Sequence, residues 1–409
     1  MLENLRSVLK FQPITLDTTE RNLDRAANID DLRRLAKRRL PGGVFDYIDG
    51  GADDEVTLRN NTDRFADWEF KPRVLRDVEN IDTSTTLLGK TIPMPLVMAP
   101  TGFSRIGTSG GELDTSRVAA RRGIPYSLSS LATRSIEEVA EVCDGPKWFQ
   151  VYVWRDRGLV KEVVQRAEAA GYEAIAITVD LQTLGRRERD VRRGFTLPPK
   201  LGLDTIIDGI RHPGWTWDFI RSEPILFANI TGSDQSDGTD PTALADYIAD
   251  QLDPTLSWDD VAWFREIWDG PIVIKGIQRV DDAKVAADLG LEAIALSNHG
   301  GRQLDHSPSP IELVPQVRDA VGDAIQIICD GGIRRGTHIA KAIALGADAC
   351  MAGRAYLYGL GAGGEAGVDK ALGFLEDELV RAMKLLGVNT ISELSPDLLR
   401  ELEPHRTSH

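Results

Sequence analysis

The chain has 409 residues, 42% hydrophobic and 27% charged, an ordinary globular composition that fits one large domain or two to three small ones. Its formal net charge of -15 argues against a nucleic-acid partner, because phosphate backbones need a basic surface. The three cysteines, Cys143, Cys329 and Cys350, lack metal-ligand spacing and lie in or beside apolar runs, which predicts buried thiols in a reducing, cytoplasmic setting.

Residues 1–28 read as a polar, irregular arm with no basic-then-apolar leader. No apolar run of about 18 residues is present to span a bilayer. Ile29 to Leu40 predicts a helix, with Asp30 and Asp31 at its start and Lys37 to Arg39 at its end, as the helix dipole favours. Pro41-Gly42-Gly43 breaks it, and a short second helix follows at Val44 to Ile48. Tyr47 lies there, just before Asp49-Gly50-Gly51.

From residue 94 a rhythm begins. Eight short apolar runs appear: Pro95–Thr101, Tyr126–Ser130, Trp148–Val153, Ala174–Asp180, Ile272–Lys275, Ala293–His299, Ile325–Asp330 and Ala349–Gly353. Helical patterns such as Gly111–Arg122, Leu159–Ala170 and Arg335–Leu345 separate them. Strand alternating with helix predicts a parallel sheet, and eight units predict closure into an α/β fold, the (β/α)₈ or TIM barrel, with the first helices as an N-terminal cap. An open doubly wound sheet is the alternative, but no GxGxxG follows the first run.

The rhythm breaks once, at residues 181–257, read as an elaborated loop after strand four that acts as a lid, an oligomer contact or a membrane-surface patch. It holds Arg186-Arg187, Pro198-Pro199 and Trp215-Thr216-Trp217, with the tryptophans read as packing. Ala362 to Leu386 predicts a long helix, the domain runs over 29–395, and 396–409 reads as a tail, disordered from Pro404.

The chemistry concentrates in Ala293 to Asp305, a buried strand that ends in Ser297-Asn298-His299-Gly300-Gly301-Arg302. A histidine is the natural proton acceptor near neutral pH, and an arginine grips a carboxylate through two hydrogen bonds. The glycines between them permit unusual backbone angles and close approach by a ligand. Alone, the segment also fits a capped strand end with a surface arginine. The other strand ends argue otherwise. They carry Pro100, Thr101 and Gly102; Ser129 and Ser130; Gln150 and Tyr152; Thr178 and Asp180, with Arg187 beyond; Lys275; Asp330-Gly331-Gly332-Ile333-Arg334; and Gly353-Arg354. In such barrels catalytic groups collect where strands run out, and phosphate binds after strands seven and eight. A phosphate there, Lys275 at mid-face, and Ser129, Gln150 and Thr178 opposite suit a flavin mononucleotide, whose pyrimidine edge needs donors and acceptors.

Ser297-Asn-His-Gly-Gly-Arg-Gln-Leu-Asp305, Asp330-Gly-Gly-Ile-Arg334, Gly353-Arg354, Gln150-Val-Tyr152, Thr178-Val-Asp180 and Leu184-Gly-Arg-Arg-Glu188 together resemble the FMN-dependent L-2-hydroxy acid dehydrogenase/oxidase family. Within it, the chain looks like the bacterial L-lactate dehydrogenases that pass electrons to a carrier. The resemblance implies His299 as active-site base and Asp180 as its partner. It implies Arg302, Arg187 and Tyr47 on the substrate carboxylate, and Tyr152 on the hydroxyl or keto oxygen. It places Lys275 at flavin N1/O2, Pro100, Thr101 and Gly102 near N5, and Ser129, Gln150, Thr178 and Ser297 around the ring. Asp330, Gly331, Gly332, Ile333, Arg334, Gly353 and Arg354 would hold ribityl and phosphate.

It also implies FMN as cofactor and a homotetramer or octamer. Leu131 stands where glycolate oxidase has Trp, and Gly102 where it has Ala, which predicts a wider pocket. Two reactions remain open. One oxidises L-lactate to pyruvate and reduces a quinone or other carrier, with peripheral contact at the inner face of the cell membrane as an option. The other is an oxidase that uses O₂ and a larger acid such as mandelate.

Overall fold

The structure is a computed structural model and describes residues 17–194, 202–230 and 250–402. Each of the eight apolar runs contains a strand. We label them β1 (Leu96–Met98), β2 (Tyr126–Ser129), β3 (Lys147–Tyr152), β4 (Ala174–Thr178), β5 (Ile272–Ile277), β6 (Ala293–Ser297), β7 (Gln326–Asp330) and β8 (Ala349–Ala352). Every strand pairs in parallel with its sequence neighbours, and β8 returns to β1 with Cys350 opposite Leu96, which closes the barrel.

The strands are apolar on both faces because both are covered. Val97, Trp148, Ala176, Val273, Ala295 and Met351 fill the interior. A hairpin, Thr85–Leu87 with Lys90–Ile92, adds Leu87 and Ile92 to that inner cluster. Outward-facing Leu96, Leu128, Phe149, Ile175, Ile294 and Ile327 pack in the larger cluster with the helices. Truncating one of these isoleucines to Ala would cost roughly 2–5 kcal/mol. All three cysteines are free and buried.

Helix starts follow local chemistry. Ser135 and Ser309 form capping boxes with Glu138 and Glu312. Asp156 caps the helix Arg157–Ala169, its carboxylate accepting from Leu159 N–H. The supposed arm differs more. Within it, Thr18–Arg25 is a helix capped by Asp17, and its Leu23 is buried. The predicted C-terminal helix starts earlier, spans Arg354–Leu386, and is interrupted at Gly363 and Gly364. Part of the expected tail is ordered too, since Leu399–Glu401 pairs antiparallel with Trp68–Phe70. Pro404 onward, and Pro198-Pro199, lie outside the described residues. The described parts of 181–257 hold short helices at Glu188–Arg192, Leu203–Arg211 and Pro213–Arg221.

Candidate active site

The carboxyl ends of the strands open into a cavity of about 730 Å³. Its lining includes Tyr47, Pro100, Thr101, Gly102, Ser129, Tyr152, Arg187, Lys275, His299, Arg302, Gly331 to Arg334, Gly353 and Arg354. Segments 297–305 organise it residue by residue. Ser297 Oγ accepts from Lys275 Nζ (3.1 Å) and His299 N–H (3.1 Å) and donates to Asp330 (2.8 Å). Asn298 exchanges two amide hydrogen bonds with Asn61, at 2.7 and 2.8 Å. Gln303 donates to the carbonyls of Asp180 and Thr183 and so holds the loop after β4. Asp305 accepts from the N–H groups of Val56 and Thr57, capping the helix Val56–Asp63.

His299, Gly300 and Gly301 all have positive φ (57°, 66° and 73°). For His299 this is a strained conformation, of the kind retained where surrounding bonds over-determine it. The positive φ values are the unusual backbone angles that the glycines were expected to permit, and protein packing adds a second demand for them. A Cβ on Gly300 would stand 2.7 Å from the Arg354 guanidinium, and one on Gly301 2.7 Å from Leu58 N.

His299 Nδ1 lies 3.1 Å from Asp180 Oδ1. Burial alone would raise the Asp180 pKa, but His299 and Lys275 outweigh it and hold the carboxyl below its ordinary value. An ionised carboxylate only accepts, so His299 Nδ1 donates to it and Nε2 is the ring nitrogen left for a ligand. Asp180 reaches this position because β5 bulges after Lys275. Gly276 has φ 118°, and a Cβ there would sit 2.8 Å from Asp180 Cβ. Tyr152 is buried nearby, and burial raises its phenol pKa, which keeps it a donor.

The Arg187 and Arg302 guanidiniums lie 5.1 and 5.0 Å from the centre of the Tyr47 ring. Arg187 pairs with Asp190 at 2.9 Å. Arg302 donates to the Tyr47 carbonyl at 2.6 Å, and among the described residues no carboxylate lies within ion-pair distance of it. Burial and then Arg187 push its pKa down to about 9, so it remains a cation at neutral pH. A half-buried cation with no directly paired carboxylate is costly, and a ligand carboxylate would relieve that cost.

On the opposite side Lys275 pairs with Asp330 at 2.7 Å. Burial works against the lysine's charge, yet Asp330 and Asp180 raise its pKa overall. Ser129 Oγ donates to Gln150 Oε1 at 2.9 Å. Gln150 Nε2 and Thr178 Oγ1 are buried without a hydrogen-bond partner. Orphaned polar atoms beside a buried lysine fit the donor and acceptor edge of a flavin. Near β7 and β8 protein contacts also shape the cavity-lining residues. A Cβ on Gly332 would strike the Asn61 carbonyl at 1.7 Å, so that glycine is bare for packing. Arg354 spends its guanidinium on the carbonyls of Ile48, Gly50 and Gly300.

Several supporting residues escaped the sequence reading. Glu112, fully buried, accepts from the Ser104 and Thr133 N–H groups and the Thr133 hydroxyl, tying together the loops after β1 and β2. Asp49 accepts from Arg33 (2.5 and 2.8 Å), Arg189 (2.9 Å) and the Tyr358 hydroxyl (2.7 Å). Arg189 also pairs with Glu55, and Arg193 with Asp46. This network locks the helix following Arg187 onto the helix carrying Tyr47. Burial opposes the Asp49 charge, but these partners hold its pKa well below the usual carboxylate range.

A closed barrel whose strand ends gather a His–Asp pair, two arginines beside one tyrosine, and unpartnered polar atoms near a buried lysine suits a flavin-linked dehydrogenase. The chain belongs to the FMN-dependent dehydrogenase family, whose profile matches residues 36–401. It is 45% identical over 402 residues to a putative L-lactate dehydrogenase of Mycobacterium tuberculosis, covering 98% of this chain and 95% of that protein. It is 42% identical over 380 residues to an L-lactate dehydrogenase of Pectobacterium atrosepticum, covering 92% and 97%. The crystal structure of a monotopic membrane protein, (S)-mandelate dehydrogenase, matches it with a TM-score of 0.89 at 38% identity, over 92% of this chain and all of that one.

Proposed function

We propose that this chain oxidises L-lactate to pyruvate and passes the electrons to a quinone or other carrier. The observation that carries the reading is one cavity lined by both His299, which is paired with Asp180, and Arg302, a half-buried guanidinium with no carboxylate within ion-pair distance among the described residues. Arg302 and Arg187 fix the substrate carboxylate, with Tyr47 packed against them. Tyr152 holds the substrate oxygen. His299 Nε2 takes a proton, and Asp180 stabilises the resulting imidazolium. Three fixed groups around one carbon select a single enantiomer. FMN, when bound, would supply the two-electron acceptor for this oxidation. Gln150 Nε2, Thr178 Oγ1, Lys275, Ser129 and Ser297 would hold its ring, with Pro100, Thr101 and Gly102 lining the same cavity. Residues 330–334 with Gly353 and the backbone of Arg354 would hold ribityl and phosphate.

The names of the bacterial relatives support lactate. A second reading, a larger or aromatic acid, is favoured by Phe103, Ile106, Leu131 and Phe227 in the cavity wall. Among the described residues no helix is long and apolar enough to cross a membrane. Peripheral contact is supported by Ile206, Ile207, Ile210, Trp217, Phe219 and Ile220, exposed on two adjoining helices with Arg211 and Arg221 beside them. Trp215 instead packs, its indole donating to Ile106 O at 2.7 Å. In the test, pyruvate formation is followed with a quinone analogue and, separately, in air with peroxide detection. Turnover that needs the quinone supports the reading, and equal turnover in air with stoichiometric peroxide overturns the assignment of acceptor.

A further inference from the structure

The loop that follows β7 is gripped by one side chain to which nothing above gives a role. His338, in the first turn of the helix Gly336–Ala344, places Nδ1 3.1 Å from the Gly332 carbonyl oxygen and 3.4 Å from the Arg334 backbone nitrogen. One ring nitrogen cannot donate and accept at once. The shorter contact selects Nδ1–H donating to Gly332 O, which leaves the Arg334 N–H available to another acceptor. The ring is held in turn. It stacks on Phe65 with centroids 4.2 Å apart and planes 5° from parallel, and Lys341 Nζ donates to the Phe65 carbonyl at 2.8 Å. Burial, with the nearby cations Lys341, Arg334 and Arg335, brings the imidazole pKa down to about 3, so the ring is neutral at working pH.

The position matters because of Gly332. Its φ of 73° belongs to a turn in which the following peptide can rotate at little steric cost. A rotated peptide would exchange a carbonyl for an N–H at the cavity wall. Backbone N–H groups attract an anion, and a carbonyl repels one.

We propose that His338 is a positioning residue for the cofactor phosphate: its Phe65-stacked imidazole anchors the Gly332 carbonyl and so keeps the 331–334 loop in its anion-binding form. The proposal rests on the reading that this loop receives the FMN phosphate. Riboflavin, which has the same ring and no phosphate, therefore provides the control.

Holoenzyme is equilibrated with a mixture of FMN and riboflavin, and the ratio of bound flavins is read after gel filtration. Wild type retains FMN almost alone. His338→Phe keeps the stack on Phe65 but loses the donor, and its bound FMN-to-riboflavin ratio falls by about tenfold, the effect of one lost hydrogen bond. His338→Asn restores a donor near the Nδ1 position and stays within about threefold of wild type. Phe65→Leu, which loosens the ring without removing it, lowers the ratio by a smaller amount. A structural defect alone would reduce total flavin and leave the ratio unchanged, and that result for His338→Phe overturns the proposal. A wild type that holds FMN and riboflavin equally would overturn the phosphate-site reading itself, and the proposal with it.

Discussion

The floor of the cavity, made by the strand ends, differs from its wall, made by the loop after β4 and the N-terminal helices, in what holds it in place. The floor is built from short-range order. Lys275, Ser297 and Asp330 sit on neighbouring strands, and barrel register alone brings them within 2.7 to 3.1 Å. The wall is built from charge. Asp49 joins Arg33 and Arg189, and Glu55 and Asp46 pair with Arg189 and Arg193. Packed strands resist deformation, whereas an ion network depends on each member, so cofactor binding and substrate binding should fail separately.

The largest expected effect lies where the two regions meet. His299→Gln should retain yellow FMN yet lose turnover by about 10²–10⁴-fold, the usual worth of a positioned base. Flavin content and substrate-driven bleaching measure the two halves independently. Normal bleaching would remove His299 as the base. Next comes the clamp. Arg302→Lys should lower kcat/KM by about 100-fold, since lysine keeps the charge but not the fork. An unchanged value would take Arg302 out of the substrate site. A smaller effect tests the wall itself. Arg189→Met should raise KM several-fold, about 1 kcal/mol, and leave bound FMN unaltered. Equal loss of flavin would show that floor and wall are one unit.

The difference between floor and wall also marks what was legible in the sequence. Strands buried on both faces advertise themselves as apolar runs, so the eight were visible and their polar ends pointed to the site. Residues joined by register were visible for the same reason. Long-range partners were not. Asn298 meets Asn61, Asp305 caps the helix starting at Val56, and Glu112 braces Ser104 and Thr133, and none of these pairings leaves a local pattern. Glycines carry a second demand that no local pattern shows: protein atoms press on Gly300, Gly301 and Gly332, and a sequence cannot separate that from ligand approach. The insertion concealed two helices because each is only 9 residues long, too short for its periodicity to stand out.

A last expected effect, on stability rather than turnover, concerns pH. A free histidine protonates below about 6.5, but His338 resists until about 3 when folded. Between those values the unfolded chain binds the extra proton, so stability falls as pH drops through 6.5. By pH 5 this amounts to at most about 2 kcal/mol. His338→Asn should flatten the acid limb of a plot of Tm against pH by that amount. An unchanged slope would mean that the ring titrates freely in the fold.

The most direct measurement is anaerobic. Purified holoenzyme is mixed with L-lactate and, separately, with D-lactate, and flavin absorbance is followed in the visible band. Rapid bleaching by L-lactate alone is the predicted result, because the arginine clamp, Tyr152 and His299 Nε2 fix three groups around one carbon. Equal bleaching by both enantiomers, or by neither, would contradict the account.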